Sequence, residues 1–293
     1  TFLKNSTLTA ISISAFGALS WNGKNFEGDT ATTTDILGPF YRPGAPMRTN
    51  LRLINSKGTP IVLKGRIFRE DGKIPVNDAF VEIWHCDENK VYDNTSNEYK
   101  YRGGQRTKSD GKFEFKSILP VPYQAVPNNE ATWRPAHIHM RVSVSGQQDL
   151  ITQIYFKDGK YVDTDRWASA PQAANRILAV NKNNSGESEI IFNVIMSKEI
   201  PLDEKGYDKI TGLYDVGDNN FIEFIKNDDL LFMKQNGQLA AGLKYLGNNS
   251  FEGGGGYPKA TFDLQKDDTV KVVVITEIPT TKTYTGIKYL KYN

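Results

Sequence analysis

The sequence predicts an all-β protein: an antiparallel β-sandwich followed by a small antiparallel β domain. Short apolar segments that alternate with period two recur along the chain, as in residues 79–84 and 150–156, and such alternation is typical of half-buried strands. Turn pairs such as Asp71-Gly72 and Asp110-Gly111 separate them, as hairpin connections do. Many short strands divided by turns favour a sandwich or barrel over alternating strands and helices.

The same patterns predict the individual elements. Only one segment, residues 166–181, has a helical pattern. A run of four glycines at 253–256 is expected to be a flexible loop, because the strand and helix that flank a phosphate-binding loop are missing. Strands are predicted over 61–68, 79–84, 112–115, 136–144, 150–156, 188–196, 221–225 and 270–276.

A change in character divides the chain into three parts: 1–29, a leader remnant and linker; 30–200, the β-sandwich; and 203–293, the small β domain. Phe2-Leu3-Lys4 precedes a mildly apolar stretch, and together they resemble the remnant of a twin-arginine export leader. We therefore expect a periplasmic or extracellular protein, with an ordinary N-terminal arm and a cytoplasmic location as the alternative. The stretch is too short and polar for an integral membrane span.

Charge and cysteine content exclude several classes of function. The 293 residues contain 36 basic and 34 acidic side chains, for a net charge of +2. So small an excess gives no field for binding nucleic acid. Cys86 is the only cysteine, so the chain forms no internal disulfide and no site with several thiolates.

The strongest chemical signal is a pair of histidines. Two of the three histidines in the chain lie two residues apart, at His137 and His139. On a strand both side chains point to one face and can bind one metal, although such pairs also arise by coincidence. Further ligands must be oxygen or nitrogen donors: carboxylates would suit zinc or iron(II), whereas phenolates suit a harder ion. Tyr92 and Tyr123 are candidate phenolates, and Tyr123 follows prolines that fix its backbone.

Ordered motifs across the middle of the chain make the signal specific. They are Leu37-Gly38-Pro39-Phe40-Tyr41-Arg42-Pro43-Gly44-Ala45-Pro46, Val81-Glu82-Ile83-Trp84-His85, Thr107-Lys108-Ser109-Asp110-Gly111, Pro120-Val121-Pro122-Tyr123, residues 134–139 and Thr152-Gln153-Ile154-Tyr155-Phe156. In this order they resemble the intradiol ring-cleavage dioxygenases, the family of catechol 1,2-dioxygenase, protocatechuate 3,4-dioxygenase and hydroxyquinol 1,2-dioxygenase.

The resemblance implies a site and a reaction. Fe(3+) would be bound by Tyr92, Tyr123, His137 and His139. Tyr123 would also be catalytic, as the ligand that leaves and accepts a substrate proton. Arg134 and Gln153 would be catalytic residues beside the substrate. A catechol-type diol and O2 would give a cis,cis-muconate-type diacid, without an organic cofactor. The resemblance does not fix which diol is the substrate, and a homo-oligomer is compatible with it.

One position departs from the family pattern. The family usually has glycine two residues before the first ligand tyrosine, where this chain has Lys90. Tyr99 and Tyr101 therefore compete with Tyr92 for that role. We prefer Tyr92, because its distance from the Trp84 strand fits the family better.

Two other classes of protein compete with a dioxygenase. A non-catalytic β-sandwich binding module, transthyretin-like or carbohydrate-recognising, would need no convergence of tyrosines and histidines. A zinc or copper enzyme built on the same histidine pair would need a carboxylate or a third histidine close by. The third histidine, His85, is expected to be structural, and no carboxylate stands near the pair in sequence.

Overall fold

The computed structural model describes residues 31–197, 204–227, 230–277 and 280–290, together with three short strands between residues 12 and 28. These strands, β1 (Ser12–Ser14), β2 (Gly17–Trp21) and β3 (Phe26–Gly28), pair into an antiparallel sheet. The leader predicted over residues 1–29 otherwise lies outside the described residues, and the export that it implies stays a prediction.

Residues 31–197, called the N-terminal unit below, contain most of the predicted strands. Their bounds are β4 (Pro60–Phe68), β5 (Phe80–Trp84), β6 (Arg102–Arg106), β7 (Lys112–Ile118), β8 (Tyr123–Gln124), β9 (Trp133–Arg134), β10 (His137–Ser143), β11 (Leu150–Phe156), β12 (Ile177–Leu178), β13 (Asn181–Lys182), β14 (Ser188–Ile191) and β15 (Val194–Ile195), with 3-10 turns at Glu130–Thr132 and Pro171–Arg176.

Two larger sheets share one core. The first has the order β12-β11-β10-β5-β6, and in the second β4 pairs with β7, β14 and β15. A cluster of buried side chains joins the two sheets, with Leu63 and Phe115 from the second and Ile83, Ile138 and Ile154 from the first. The described residues are therefore mostly strand with little helix, as predicted. The pairs β11–β12, β4–β14 and β4–β15 are parallel. Parallel pairing requires a long connection between the two strands, and each of these pairs has one.

Strand β10 presents its two faces to different surroundings. Ile138 and Met140 belong to the shared core, whereas His137, His139 and Arg141 alternate with them and point to the opposite face. All three of these polar side chains are buried. The predicted histidine pair therefore lies on the outer face of the first sheet, under a further layer of the protein.

Neighbouring β11 shows what forms that layer. All of its residues are buried, although only Leu150, Ile154 and Phe156 belong to the shared core. On its outer face Ile151 packs in a second cluster, together with side chains of the segment 37–41 and of the C-terminal part of the chain. Side chains from outside the two sheets therefore cover the outer face of the first sheet, where the histidine pair lies.

The C-terminal strands form a closed antiparallel barrel, which refines the predicted antiparallel β domain. Its interior is one apolar cluster, and helix α1 (Glu204–Ile210) contributes Tyr207 and Ile210 to it. The strands are β16 (Gly212–Asp215), β17 (Phe221–Asn227), β18 (Leu230–Gln235), β19 (Gln238–Gly247), β20 (Ser250–Gly253), β21 (Lys259–Leu264), β22 (Val270–Thr276) and β23 (Lys282–Leu290).

The helix predicted over residues 166–181 is wrong. The structure has one 3-10 turn at Pro171–Arg176, followed by β12 and β13. Residues of high helix propensity suggested the helix, but Ile177 and Leu178 pair with Tyr155 and Phe156 instead, and tertiary pairing overrides a weak local preference. The glycine run contains a 3-10 turn, Gly254–Gly256. Among the described residues no helix has the length and apolar character needed to cross a membrane.

Candidate metal centre

The two histidines of β10 converge on one point. Both side chains are 1% exposed, and their Nε2 atoms lie 3.2 Å apart. His137 pairs across the sheet with Tyr155, and His139 pairs with Gln153 on one side and Trp84 on the other. Because β10 is a central strand, the register on both sides fixes the backbone of the pair.

The two imidazole rings are held in different ways. Nδ1 of His137 donates to the carbonyl of Pro135 at 2.7 Å, which leaves a lone pair on Nε2. Nδ1 of His139 is buried without a hydrogen-bond partner. The His139 ring instead stacks on Trp84, with 4.9 Å between centroids and 5° between planes. Packing therefore sets the orientation of His139, and a hydrogen bond sets that of His137.

Both predicted tyrosines lie beside the histidines. The hydroxyl of Tyr92 is 3.3 Å from Nε2 of His137. Tyr123 begins β8, which pairs with Arg134 in β9. The rings of Tyr92 and Tyr123 meet edge to face with centroids 5.4 Å apart, and Tyr123 lies 5.6 Å from the ring of His137. Four donor side chains therefore share one buried space.

The conformation of the loop that carries Tyr92 is one that glycine favours, although this chain has Lys90 where the family usually has glycine. Lys90 adopts φ 70°, a left-handed conformation in which glycine is least strained. The backbone N–H of Lys90 donates to the carbonyl of Asp87, whose side chain accepts from the N–H of Val91. The turn therefore keeps a shape that suits glycine, while the Lys90 ammonium lies 5.0 Å from the centre of the Trp133 ring.

The competing tyrosines point elsewhere. The Tyr101 hydroxyl donates to Glu88 at 3.1 Å and lies 3.0 Å from the Ser56 hydroxyl. The Tyr99 hydroxyl donates to the carbonyl of Pro43 at 3.4 Å. Neither makes a ring contact with the two histidines of β10. The geometry therefore favours Tyr92 over both.

His85, expected to be structural, has both ring nitrogens engaged. Nδ1 donates to the carbonyl of Cys86 at 2.7 Å, and Nε2 accepts from the Ser117 hydroxyl at 2.7 Å. Because both nitrogens have partners, His85 has no free lone pair for a metal. This arrangement agrees with the structural role predicted for it.

Burial sets the charges of the donor groups. It lowers the pKa of His137 and His139 well below the ordinary value, so both imidazoles are neutral. Burial also raises the pKa of Tyr92 and of Tyr123, while the nearby Arg134 guanidinium opposes the rise at Tyr123. The phenols therefore keep their protons unless a cation binds and reverses the shift.

Arg134 is a buried cation fixed beside the donors. Its Nε donates to Asp165 at 2.6 Å, and a terminal nitrogen donates to the Gln153 side chain at 3.0 Å. Burial alone would lower the pKa of Arg134, but Tyr155 and Asp165 raise it above the ordinary value. The Gln153 amide in turn donates to the carbonyl of Ile36 at 2.7 Å. Both predicted residues therefore belong to one rigid polar network.

Sequence reasoning missed the other members of this network. The Tyr155 hydroxyl lies 2.9 Å from the carboxylate of Asp35, and the buried Arg176 forms an ion pair with the same carboxylate. Asp35 stands just before the Leu37 motif, and Tyr155 lies within the last one. The ion pairs join positions far apart in the chain, so one sequence gives no signal that pairs them.

An aromatic side chain covers the tyrosines. Phe40 stacks on Tyr92 with 4.5 Å between ring centroids and meets Tyr123 at 6.0 Å. It belongs to the segment between Gly38 and Gly44, both of which have a positive φ. A Cβ atom on Gly38 would lie 2.9 Å from Cε1 of His139, so only glycine permits this approach.

The donor set fits a hard metal ion. Ligand atoms about 2.1 Å from one ion lie roughly 3 Å apart when they subtend a right angle, and the Nε2 pair and the Tyr92–His137 pair lie at 3.2 and 3.3 Å. Within the described ranges, no three residues among His, Cys, Asp and Glu form a metal cluster. The phenols of Tyr92 and Tyr123 are the oxygen donors that lie beside the histidine pair, and phenol oxygens favour a harder, more highly charged ion than zinc.

Comparison with known proteins identifies the family. A family model described as dioxygenase matches residues 36–198, more than half of the chain. The protein belongs to the intradiol ring-cleavage dioxygenases. It is 32% identical over 171 residues to a chlorocatechol 1,2-dioxygenase of Rhodococcus opacus, covering 52% of this chain and 65% of that protein. It is 34% identical over 155 residues to catechol 1,2-dioxygenase 2 of Acinetobacter lwoffii, covering 47% and 55%.

Solved structures agree with this assignment. The fold is similar to 3-chlorocatechol 1,2-dioxygenase of Rhodococcus opacus 1CP, with a TM-score of 0.50 and 26% identity over 57% of this chain and 72% of that one. For catechol 1,2-dioxygenase of Pseudomonas arvilla C-1 the TM-score is 0.51 and the identity 26%, over 58% and 63%. The chain thus spans about half to two thirds of the curated relatives, and the barrel lies outside the residues that the family model matches.

Proposed function

We propose that this protein is an iron(III)-dependent dioxygenase that cleaves catechol-type diols between the two hydroxylated carbons. The observation that carries the proposal is the buried convergence of the Tyr92 hydroxyl with Nε2 of His137 and of His139, at 3.3 and 3.2 Å. Family membership adds weight to it over a non-catalytic binding module. The expected products are cis,cis-muconate-type diacids that contain both atoms of dioxygen.

Four side chains would hold the iron: Tyr92, Tyr123, His137 and His139. Two phenolates and two neutral imidazoles suit iron(III), since phenolates supply negative charge and burial keeps the imidazoles uncharged. Iron(III), when bound, would supply a Lewis acid that the diol can chelate and that makes the ring of the diol reactive toward dioxygen. The protein supplies the proton transfer, the charge stabilisation and the exclusion of water.

Tyr123 is proposed to accept a proton from the substrate. Burial raises the pKa of its phenol, and the positive charge of Arg134 opposes that rise. A phenol whose pKa is subject to these opposing influences can accept a proton from a substrate hydroxyl and hold it while the substrate is bound. Tyr92, which packs beneath Phe40, has no such cationic neighbour as a leading influence, so it is the better permanent ligand.

Arg134 and Gln153 are proposed to stabilise the anionic substrate. Arg134 stays positively charged, because Tyr155 and Asp165 raise its pKa above the ordinary value. Its terminal nitrogen is held by Gln153, whose own amide is fixed to the backbone of Ile36. A cation fixed in this way stabilises charge on the diol without reorganising during the reaction.

The surroundings of the donors keep water out. The cluster around Tyr92 and Tyr123 includes Leu37, Trp84 and Ile151, with Phe40 packed against it. These apolar groups suit an aromatic ring. The curated relatives are named for catechol, chlorocatechol and chlorohydroxyquinol, and these diols are the first substrates to assay.

Product analysis tests the proposal. Iron-loaded protein is incubated with catechol and heavy-isotope dioxygen, and the product is analysed by mass spectrometry, with iron-free protein as the control. The proposal predicts a ring-opened diacid that carries two heavy oxygen atoms, formed only with iron. Cleavage beside the diol, or no oxygen consumption with any of the three diols, would contradict it.

The location of the protein and its division into domains are further proposals. We propose export to the periplasm or beyond, supported by Phe2-Leu3-Lys4 and the apolar stretch that follows. Two domains, at about 30–200 and 203–293, are supported by the separate core clusters of the sheets and the barrel. Fractionation of cells that express the natural gene tests the first proposal, since a protein confined to the cytoplasmic fraction would contradict it.

A further inference from the structure

The barrel contacts the N-terminal unit at the candidate site. Leu230 and Phe232 of β18 are buried outside the barrel interior, in the same cluster as Tyr41, Trp84 and Tyr92. Their exposed fractions are only 2% and 4%. Side chains of the barrel therefore cover part of the outer face of the first sheet.

A chain of aromatic contacts leads from the barrel to a metal-binding histidine. The Phe232 ring lies 5.7 Å from that of Tyr41, which meets Trp84 edge to face at 4.9 Å. Trp84 then stacks on His139 at 4.9 Å. Nδ1 of His139 has no hydrogen-bond partner, so on that side of the ring the stacking on Trp84 takes the place of a hydrogen bond in holding its orientation. Phe232 is the member of this series of aromatic contacts that belongs to the barrel.

A second contact lies on the Arg134 side of the site. A Cβ atom on Gly254 would stand 1.7 Å from the carbonyl oxygen of Asp35, and one on Gly255 would stand 3.1 Å from the Trp167 ring. Trp167 lies under the guanidinium of Arg134, with 4.3 Å from Cζ to the ring centroid. The glycine run therefore permits a backbone approach that no other residue allows at Gly254.

Polar contacts also fix the barrel against the N-terminal unit. The Tyr245 N–H donates to the Gln148 side chain at 2.6 Å, and the Gln148 amide donates back to the Tyr245 carbonyl at 3.3 Å. The Lys244 ammonium donates to the Ser197 hydroxyl at 2.7 Å. Paired hydrogen bonds of this kind hold one orientation, which loose apolar packing alone would not.

We infer that the barrel is a built-in support of the metal centre, in which Phe232 positions His139 through Tyr41 and Trp84, and Gly254 positions the Asp35–Trp167 side of the Arg134 network. The inference rests on the proposed function for its catalytic meaning. The geometric claim is independent of it, since it concerns how two side chains are oriented. The supporting residues of the barrel lie outside the segment that the family model matches.

Histidine and tryptophan resonances test the geometric claim in the full-length, iron-free protein. The chain has three histidines and four tryptophans, so each ring can be assigned by NMR. In Phe232→Ala the His139 ring signals should move toward ordinary values, because Trp84 no longer shields them, while the His85 signals stay. Phe262→Ala is the matched control, since Phe262 is equally buried but lies within the barrel core. Equal His139 shifts in both variants would overturn the inference.

Iron release gives the functional readout. Mutating residues that orient metal ligands typically lowers the metal affinity by about tenfold or more, so Phe232→Ala should bind iron about tenfold more weakly than Phe262→Ala in competition with a chelator. If the unaltered protein binds no iron, the proposed function fails while the NMR comparison still decides the inference. If the alanine variants do not fold, Phe232→Leu and Phe262→Leu repeat the comparison in milder form.

The glycine contact has its own pair of variants. Gly254→Ala places a methyl group against Asp35, whereas Gly256→Ala meets nothing within 4 Å. Gly256→Ala carries backbone strain, because φ is 91° there, so it controls for lost stability. Gly254→Ala alone should shift the Trp167 indole signal and raise KM with a smaller change in kcat. An unchanged Trp167 signal in folded Gly254→Ala would contradict this half of the inference.

Discussion

The hydroxyl of Tyr92 lies 3.3 Å from Nε2 of His137, although the two residues are 45 positions apart and both are almost completely buried. A phenol and an imidazole lone pair at this separation can bind one ion. Replacing Tyr92 by phenylalanine removes the oxygen and keeps the ring.

We expect Tyr92→Phe to bind iron more than about tenfold more weakly, since losing a ligand should cost at least as much as losing a residue that orients one. Competition with a chelator measures the affinity. Tyr99→Phe is the control, because the Tyr99 hydroxyl donates to the carbonyl of Pro43 rather than contacting the histidines. Equal iron affinity in the two variants would rule out Tyr92 as a ligand.

The buried ion pair between Arg134 and Asp165 should contribute strongly to the stability of the folded protein. Both side chains are buried, at 7% and 2% exposure. Removing one partner leaves a buried charge without compensation, which costs about 3–5 kcal/mol. We expect a loss of this size in the free energy of unfolding of Asp165→Asn, measured in urea.

The exposed pair of Arg106 and Asp78 provides the control, with side chains 56% and 68% exposed. Asp78→Asn should change the free energy of unfolding by less than about 1 kcal/mol, as is typical of exposed ion pairs. A similar small loss in Asp165→Asn would show that water reaches Arg134, and the proposed water-excluded site would then be wrong.

Glu82 should make stability depend on pH. Burial raises its pKa from 4.5 to about 7, against the opposing charge of Arg141. Between these values the folded chain keeps a proton that the unfolded chain has lost, so this contribution to stability is present at low pH and is lost as pH rises through about 7. Glu82→Gln removes the titration.

Relative to Glu82→Gln, the unaltered protein should therefore lose up to about 3 kcal/mol of stability between pH 4.5 and 8. Urea unfolding at several pH values measures the difference, in which contributions from other groups such as His85 cancel. Glu114→Gln, at an exposed position of β7, is the control and should follow the unaltered protein. A constant difference between the unaltered protein and Glu82→Gln would contradict a raised pKa.

Phe40 should control access to the site. Its ring stacks on one face of Tyr92 and lies beside Tyr123, so we expect it to hinder the approach of an aromatic substrate to the tyrosines. We expect Phe40→Ala to bind catechol severalfold faster in anaerobic stopped-flow measurements, with unchanged iron content. Phe80→Ala, at the partly buried first position of β5, should bind catechol at the unaltered rate. Equal rates in all three proteins would show that Phe40 is not an obstacle.

The sequence predicted those parts of the site that depend on local pattern. His137 and His139 alternate on a strand, so their shared face follows from period-two geometry. Tyr92 lies in a loop and Tyr123 begins a two-residue strand, so periodicity predicts neither, and their assignment as ligands came from the family resemblance. The ligand assignment itself awaits the experiments above, although the structure brings the four side chains together.

Local sequence patterns could not predict which distant residues pair with each other. The Arg134–Asp165 and Arg176–Asp35 pairs join buried charges 31 and 141 positions apart. Closure of the barrel requires β16 to pair with β23, and no residue in either strand signals the other. The segment 166–181 looked helical because its propensity is local, whereas the pairing of Ile177 with Tyr155 is tertiary.

The most direct test of the central claim is the visible absorption spectrum of iron-loaded protein, recorded before and after anaerobic addition of catechol. Tyrosinate bound to iron(III) gives a broad charge-transfer band, so the account predicts a red-brown protein with one iron per chain. It also predicts that the band moves to longer wavelength when the diol chelates the metal. A protein that stays colourless after iron loading, or whose band ignores catechol, would contradict the account.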